Sequence, residues 1–151
     1  MAGPGQAQPD AMPFLRMRLD DIVVLESGLS PATVVTQPNS VTMRLDVGFD
    51  GMFAALLVGD TFYVNYHVQR VEDSLSFILG GGTFAVPAAP NHIVVSSGPY
   101  TTGPAGSGAN FEIAPGFASG TFRILTHIHA SAPAILPIVS AFYDGLVIEV
   151  I

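Results

Sequence analysis

The stretch SVTMRLDVGF, residues 40–49, alternates apolar and polar side chains without interruption. Successive side chains of an extended strand point to opposite sides of the sheet. One side of this stretch is therefore entirely apolar, which is typical of a strand with one side in a hydrophobic core. The apolar side is formed by Val41, Met43, Leu45, Val47 and Phe49.

The same two-residue period recurs along the chain, and glycine- and proline-rich segments separate the repeats. The clearest further segments are LRMRLDDIVVLE (15–26), TFYVNYHVQRV (61–71), GTFRILTHIH (120–129) and LVIEVI (146–151). In residues 15–26 the alternation changes phase at Asp20–Asp21, which predicts a β-bulge. Strands do not alternate with helices, so we predict an all-β, single-domain Greek-key β-sandwich, Ig-like or jelly-roll-like, with about seven to nine strands. The predicted sandwich covers residues 14–151.

The composition excludes several classes of function. Cysteine is absent, which excludes disulfides, thiolate catalysis and cysteine-ligated metals. Twelve carboxylates and five arginines give a net charge of −7, which disfavours nucleic acids and anionic membranes as partners. Charged residues make up 11% of the chain, below the usual value of about 25%. No apolar run approaches the length of a membrane span. Such an apolar chain indicates a two-layer β fold, a surface buried in an oligomer, or both.

Residues 1–13, MAGPGQAQPDAMP, form a Gly/Pro-rich arm without any periodicity. The arm has neither the basic region nor the apolar region of a secretory signal. We therefore expect a cytoplasmic location or a non-classical route of export, and the alanine-rich, lysine-free composition suggests a bacterial source. The arm either stays unstructured or docks on a neighbouring molecule.

Three histidines form the arrangement that most resembles a metal-binding site. His127 and His129 are two residues apart in a strand, so their side chains share one side of the sheet. His67 lies on the polar side of another predicted strand and would join them if the two strands pair. Three imidazoles can hold zinc or copper. A solvated sheet side that carries no ligand is the favoured alternative, so no cofactor is expected. If this side is an interface, protonation near pH 6 would alter association.

The connection DGMFAALLVGD, residues 50–60, is unusually apolar for a segment between two strands. Met52, Phe53, Leu56 and Leu57 would share one side of a short helix. They either plug the end of the core or form an exposed knob that docks a partner. A second apolar segment, APAILPIVSAFYDG (132–145), adds to the apolar surface that a monomer would have to bury.

Two further segments suggest binding. GPYTTGPAGSGAN (98–110) is glycine-rich but has neither the lysine nor the following helix of a phosphate-binding loop. We predict a long flexible connection in which Tyr100 is exposed. The favoured interpretation is a plain connection between strands, and the alternative is a loop that binds a partner. Four aspartates could also cluster at one end of the sandwich and bind calcium, although their spacing matches no EF-hand. They are Asp46, Asp50, Asp60 and Asp73.

Three functions remain open. The favoured one is a non-enzymatic structural subunit that forms homo-oligomers, a repeating particle or a filament. The alternative is a carbohydrate- or protein-binding β-sandwich module that acts through its loops. An enzyme or metal protein centred on the histidines is the least favoured, because no G-x-S-x-G or glycosidase-like carboxylate pair is present and no catalytic residue can be assigned.

Overall fold

The computed structural model describes residues 16–52, 54–130 and 140–151. Strands account for most of this part of the chain. Seven strands are long: β1 (Arg16–Glu26), β4 (Val41–Asp50), β5 (Thr61–Arg70), β6 (Ser76–Ala85), β7 (His92–Tyr100), β10 (Gly120–Ala130) and β11 (Ser140–Val150). Four strands have two residues each: β2 (Ser30–Pro31), β3 (Val34–Val35), β8 (Thr102–Gly103) and β9 (Phe111–Glu112). The N-terminal arm predicted over residues 1–13 lies outside the described residues.

The long strands form two sheets. One sheet has the order β2-β1-β4-β7 and the other has the order β3-β11-β10-β5-β6, while β8 and β9 form a small parallel pair. Among the long strands, the chain changes sheet after β4, after β6 and again between β7 and β10, and the short strand β3 adds a crossing before and after it. The predicted all-β sandwich is confirmed, and the non-sequential strand order is that expected of Greek-key connections. Within the described residues, no helix has the length and apolarity needed to cross a membrane.

The core lies between the two sheets and is built from the alternation seen in the sequence. Val41, Met43, Leu45 and Val47 of β4 are all fully buried. The facing sheet contributes residues of β5 and β10 that are at most 2% exposed, namely Phe62, Val64, Tyr66, Val68, Phe122, Ile124 and Ile128. Burial of this kind contributes about 1.5–3 kcal/mol for each large apolar side chain.

The predicted bulge in β1 is present. Leu19 pairs with Val47 and Asp21 pairs with Asp46, so Asp20 has no partner residue on β4. Because of this extra residue, the apolar side chains that follow Asp21 in β1 again point toward the core. It also leaves the side chain of Asp20 over the outer side of the sheet.

The apolar connection of residues 50–60 contains the one helix of the described residues, a 3-10 helix over Ala54–Leu57. A 3-10 helix has three residues per turn, so side chains three apart lie on one side. Ala54 and Leu57 accordingly enter the core at 5% and 2% exposure, while Met52 and Leu56 are 64% and 60% exposed. The prediction that Leu57 shares a side with Met52 and Leu56 is therefore wrong, because it assumed α-helical spacing. Phe53 lies outside the described residues.

Candidate functional site

Strands β5 and β10 pair and bring the three histidines onto one side of the five-stranded sheet. In the antiparallel register His67 lies opposite Leu125, and His127 lies opposite Asn65. The ring centroids of His67 and His127 are 6.2 Å apart, and those of His127 and His129 are 4.8 Å apart. The strands thus pair in the way that would make the histidines converge.

Apolar and aromatic side chains surround the histidines on this outer side. The ring of Phe142 stacks on His127 with a centroid distance of 4.3 Å and an interplanar angle of 4°. Tyr63 meets His129 edge-on at 5.6 Å, and Ile78 lies opposite His67 on β6. We define this surface as the histidine face, which consists of Tyr63, Asn65, His67, Ile78, Leu125, His127, His129 and Phe142.

Hydrogen bonds engage both ring nitrogens of His129. Nδ1 lies 3.0 Å from the carbonyl oxygen of Ala130, which can only accept, so Nδ1 donates. In the neutral ring Nε2 then accepts the amide hydrogen of Asn65 Nδ2, at 3.2 Å. Neither nitrogen of His129 is left free to bind a metal ion. A three-histidine metal site therefore does not fit this geometry.

Burial lowers the pKa of His127 below its ordinary value, and the charges of neighbouring His129 and His67 lower it further. His127 is consequently neutral at pH 7 and becomes charged only at a more acidic pH than an isolated histidine. Charged residues on the same side of β10 and β11 are Arg123, Asp144 and Glu149. Asp144, which pairs with Leu125, is thus the carboxylate beside the face, and acid adds positive charge at His127.

The two outer sides of the sandwich differ in polarity. On the histidine face Phe142 and Ile78 are both 62% exposed, and Tyr63 is 42% exposed. None of its eight residues carries a permanent charge. The outer side of the four-stranded sheet, which we define as the charged face, carries Arg16, Arg18, Asp20, Arg44, Asp46, Asp50 and His92. Only the first surface combines large exposed apolar groups with low charge, a combination typical of interfaces.

Tyr100 is not an exposed recognition residue. It ends strand β7, is 7% exposed, and its hydroxyl donates to the backbone oxygen of Gly80 at 2.7 Å. The predicted flexible loop is correspondingly shorter, because Thr102–Gly103 pairs with Phe111–Glu112. Packing against the second sheet, which sequence position does not reveal, is the reason for this correction.

Two buried tyrosines give a stability test of this packing. The Tyr66 hydroxyl is buried and makes no hydrogen bond, and the Ser97 hydroxyl nearby donates to the backbone oxygen of Gly81. Tyr66→Phe should therefore leave the free energy of unfolding unchanged or raise it by up to about 1 kcal/mol. Tyr100→Phe, which leaves the Gly80 oxygen without its donor, should lower it by about 1–2 kcal/mol. Urea unfolding should show a loss of stability only for Tyr100→Phe, and equal losses in the two variants would contradict the arrangement.

The sequence prediction missed Phe142. Counting back from buried Ile148 by twos places Phe142 on the core side. However, Ile124 pairs with Leu146 while Leu125 pairs with Asp144, so Gly145 is an extra residue in β11. This bulge reverses the phase and turns Phe142 outward. A glycine inside an apolar strand was the one available signal.

Comparison with known proteins supports the fold and nothing finer. No family model matches the chain, and no curated protein matches it. Among solved structures, the chain is similar to the C-terminal domain of Wzt, with a TM-score of 0.57 and 13% sequence identity. The match covers 89% of this chain and 73% of that one. At this identity the similarity shows a shared all-β fold.

Proposed function

We propose that the protein is a non-enzymatic structural subunit that associates with copies of itself through the histidine face. The observation that carries this proposal is that exposed Phe142, Ile78 and Tyr63 surround the three histidines on one outer side of the five-stranded sheet. Aromatic side chains that stand in a low-charge patch are the usual anchors of protein interfaces.

Charge supports a second copy of the chain as the partner. Each chain carries a net charge of −7, so two copies repel wherever their acidic surfaces meet. The histidine face is the surface on which the structure places few charges and much apolar area. Two copies that meet there desolvate uncharged groups, and their carboxylates remain at the rim in water. Met52 and Leu56, exposed at one end of the sandwich, offer a smaller second contact for larger assemblies.

The alternative, a carbohydrate- or protein-binding module that acts through loops, has weaker support. Tyr100, the aromatic residue proposed for loop recognition, is buried. A ligand-binding role would therefore have to use the histidine face itself. Such a protein would be a monomer, and this outcome is distinguished by the experiment below.

The proposal predicts that Phe142→Asp abolishes self-association. Light scattering behind a sizing column should give a multiple of the 15.8 kDa chain mass for the unmodified protein and a single chain for Phe142→Asp. The matched control is Val94→Asp, which places the same charge on an exposed position of the charged face. Val94→Asp should keep the assembled mass. An unmodified protein that stays monomeric at high concentration would refute the proposal and favour ligand binding.

Acid should also weaken the association. Because the pKa of His127 lies below its ordinary value of 6.5, the ring is neutral at about pH 8 and becomes charged only when the solution is acidified below pH 6.5. Positive charges then face each other across two copies, with His67 and His129 beside them. Sedimentation at about pH 8 and about pH 5 should show a smaller mass in acid. An association constant that is the same at both values would contradict a role for these histidines.

A further inference from the structure

The charged face holds a second cluster of ligating side chains, unrelated to the histidine face. Asp20 of β1, Asp46 of β4 and His92 of β7 offer donor atoms that all lie within 4.8 Å of one another. Within residues 16–52, 54–130 and 140–151, this is the single group of three that meets that distance. We propose that these three residues bind one divalent transition-metal ion of the zinc class. The proposal does not depend on self-association, because the cluster lies on the opposite sheet.

Two backbone features build the cluster from three neighbouring strands. The bulge in β1 leaves Asp20 unpaired and able to lean across β4. Gly48 provides the space, since it lies between Arg18 on β1 and His92 on β7. A Cβ at position 48 would lie 3.1 Å from Oδ2 of Asp20 and 3.0 Å from Cζ of Arg18. A larger residue at position 48 would first displace the guanidinium of Arg18, whose Nη2 is the nearest atom, and would also crowd Asp20.

Asp46 and His92 already face each other within the cluster. The Oδ1 atom of Asp46 is buried and directly contacts Nε2 of His92. Without a metal ion, a proton on Nε2 lies between the carboxylate oxygen and the imidazole nitrogen, and a bound metal ion would take its place. A proton joins only two of the three groups. One metal ion satisfies Asp46, His92 and Asp20 together.

The types of ligand atom in the cluster indicate which metal ions would bind. Imidazole nitrogen with carboxylate oxygens suits zinc and its neighbours in the transition series, whereas magnesium and calcium prefer oxygen donors alone. Arg18 borders the cluster, since its Nη2 lies 3.4 Å from Oδ2 of Asp20 while its Nη1 lies 3.0 Å from Oδ2 of Asp50, so a metal ion has to compete with this ion pair for Asp20. Three protein ligands leave at least one position for water, which is the composition of an open zinc site.

The test is a calorimetric titration of the full-length, chelator-treated protein with Zn²⁺, compared with Mg²⁺ and Ca²⁺. We expect one Zn²⁺ per chain at this site and no comparable binding of the other two ions. His92→Ala should weaken Zn²⁺ binding at least about tenfold, because even changes behind the ligands cost about 10- to 100-fold. Asp46→Asn should have a similar effect. His127→Ala is the matched control, since it removes a histidine from the other sheet, and it should leave the affinity unchanged.

A second measurement separates direct ligation from loss of fold. Co²⁺ loaded in place of Zn²⁺ should give visible absorption that disappears in His92→Ala, while circular dichroism and the thermal midpoint without metal stay the same, since the His92 side chain is 40% exposed. The proposal is overturned if the protein binds no stoichiometric Zn²⁺, which would leave only a proton between His92 and Asp46. It is equally overturned if binding survives His92→Ala or is lost in His127→Ala.

Discussion

Replacing Phe122 with alanine is expected to lower the free energy of unfolding by about 4 kcal/mol. Phe122 lies on the inner side of β10 and is fully buried. Its ring meets Phe111 edge-on at 5.2 Å and Phe77 at 6.5 Å, so it joins the five-stranded sheet to the loop strands that follow β7. Truncation would remove this burial and leave a cavity that rigid strands on both sides cannot fill.

Phe142→Ala is the control for this experiment. The same side chain on the adjacent strand is 62% exposed, because it belongs to the histidine face. Its removal should cost less than about 1 kcal/mol. Urea unfolding should be followed at concentrations where both variants have the same mass as the unmodified protein. Equal costs for the two phenylalanines would mean that the assignment of inner and outer sides is wrong.

Replacing Arg70 with methionine is expected to cost about 2 kcal/mol. Arg70 is only 7% exposed, although it is charged. Its Nε donates to Oδ1 of Asp73 at 2.8 Å, and its Nη1 donates to the backbone oxygen of Glu112 at 2.8 Å. Methionine keeps much of the volume but leaves both acceptors without their donor. Arg123→Met, on an exposed position of β10, should change stability by less than about 0.5 kcal/mol and serves as the control.

The Arg70 pair also predicts a dependence on pH. The hydrogen bond from Arg70 holds the pKa of Asp73 below its ordinary value of 3.8, and the same bond raises the pKa of Arg70. The stabilisation is therefore fully present above about pH 4 and is lost as the pH falls through the lower pKa of the folded state. Arg70→Met removes that contribution, so the stability of the variant should fall less steeply than that of the unmodified protein as the pH drops below about 4. Unfolding midpoints that decline in parallel in both proteins would contradict this coupling.

The two-residue period of the sequence predicts those strands in which apolar and polar residues alternate along the chain. Apolar and polar residues alternate without interruption from Val41 to Phe49, and the structure buries the five residues of the apolar side. The sequence also places His67, His127 and His129 on the polar sides of their strands, although it does not determine that these strands pair. The bulge at Asp20 was visible as a change of phase. These features are local, because successive side chains of a strand point to opposite sides of the sheet and each side is therefore known from the adjacent residues.

The tertiary structure alone decided the features on which the proposed roles rest. The bulge at Gly145 turns Phe142 outward, and contact with the Gly80 carbonyl buries Tyr100. The cluster of Asp20, Asp46 and His92 brings together residues from three strands that are distant along the chain. Sequence periodicity determined the two-layer fold, since burial of alternate side chains requires only local order. Which residues meet on a sheet surface depends on strand order and register, and these are set by packing across the whole domain.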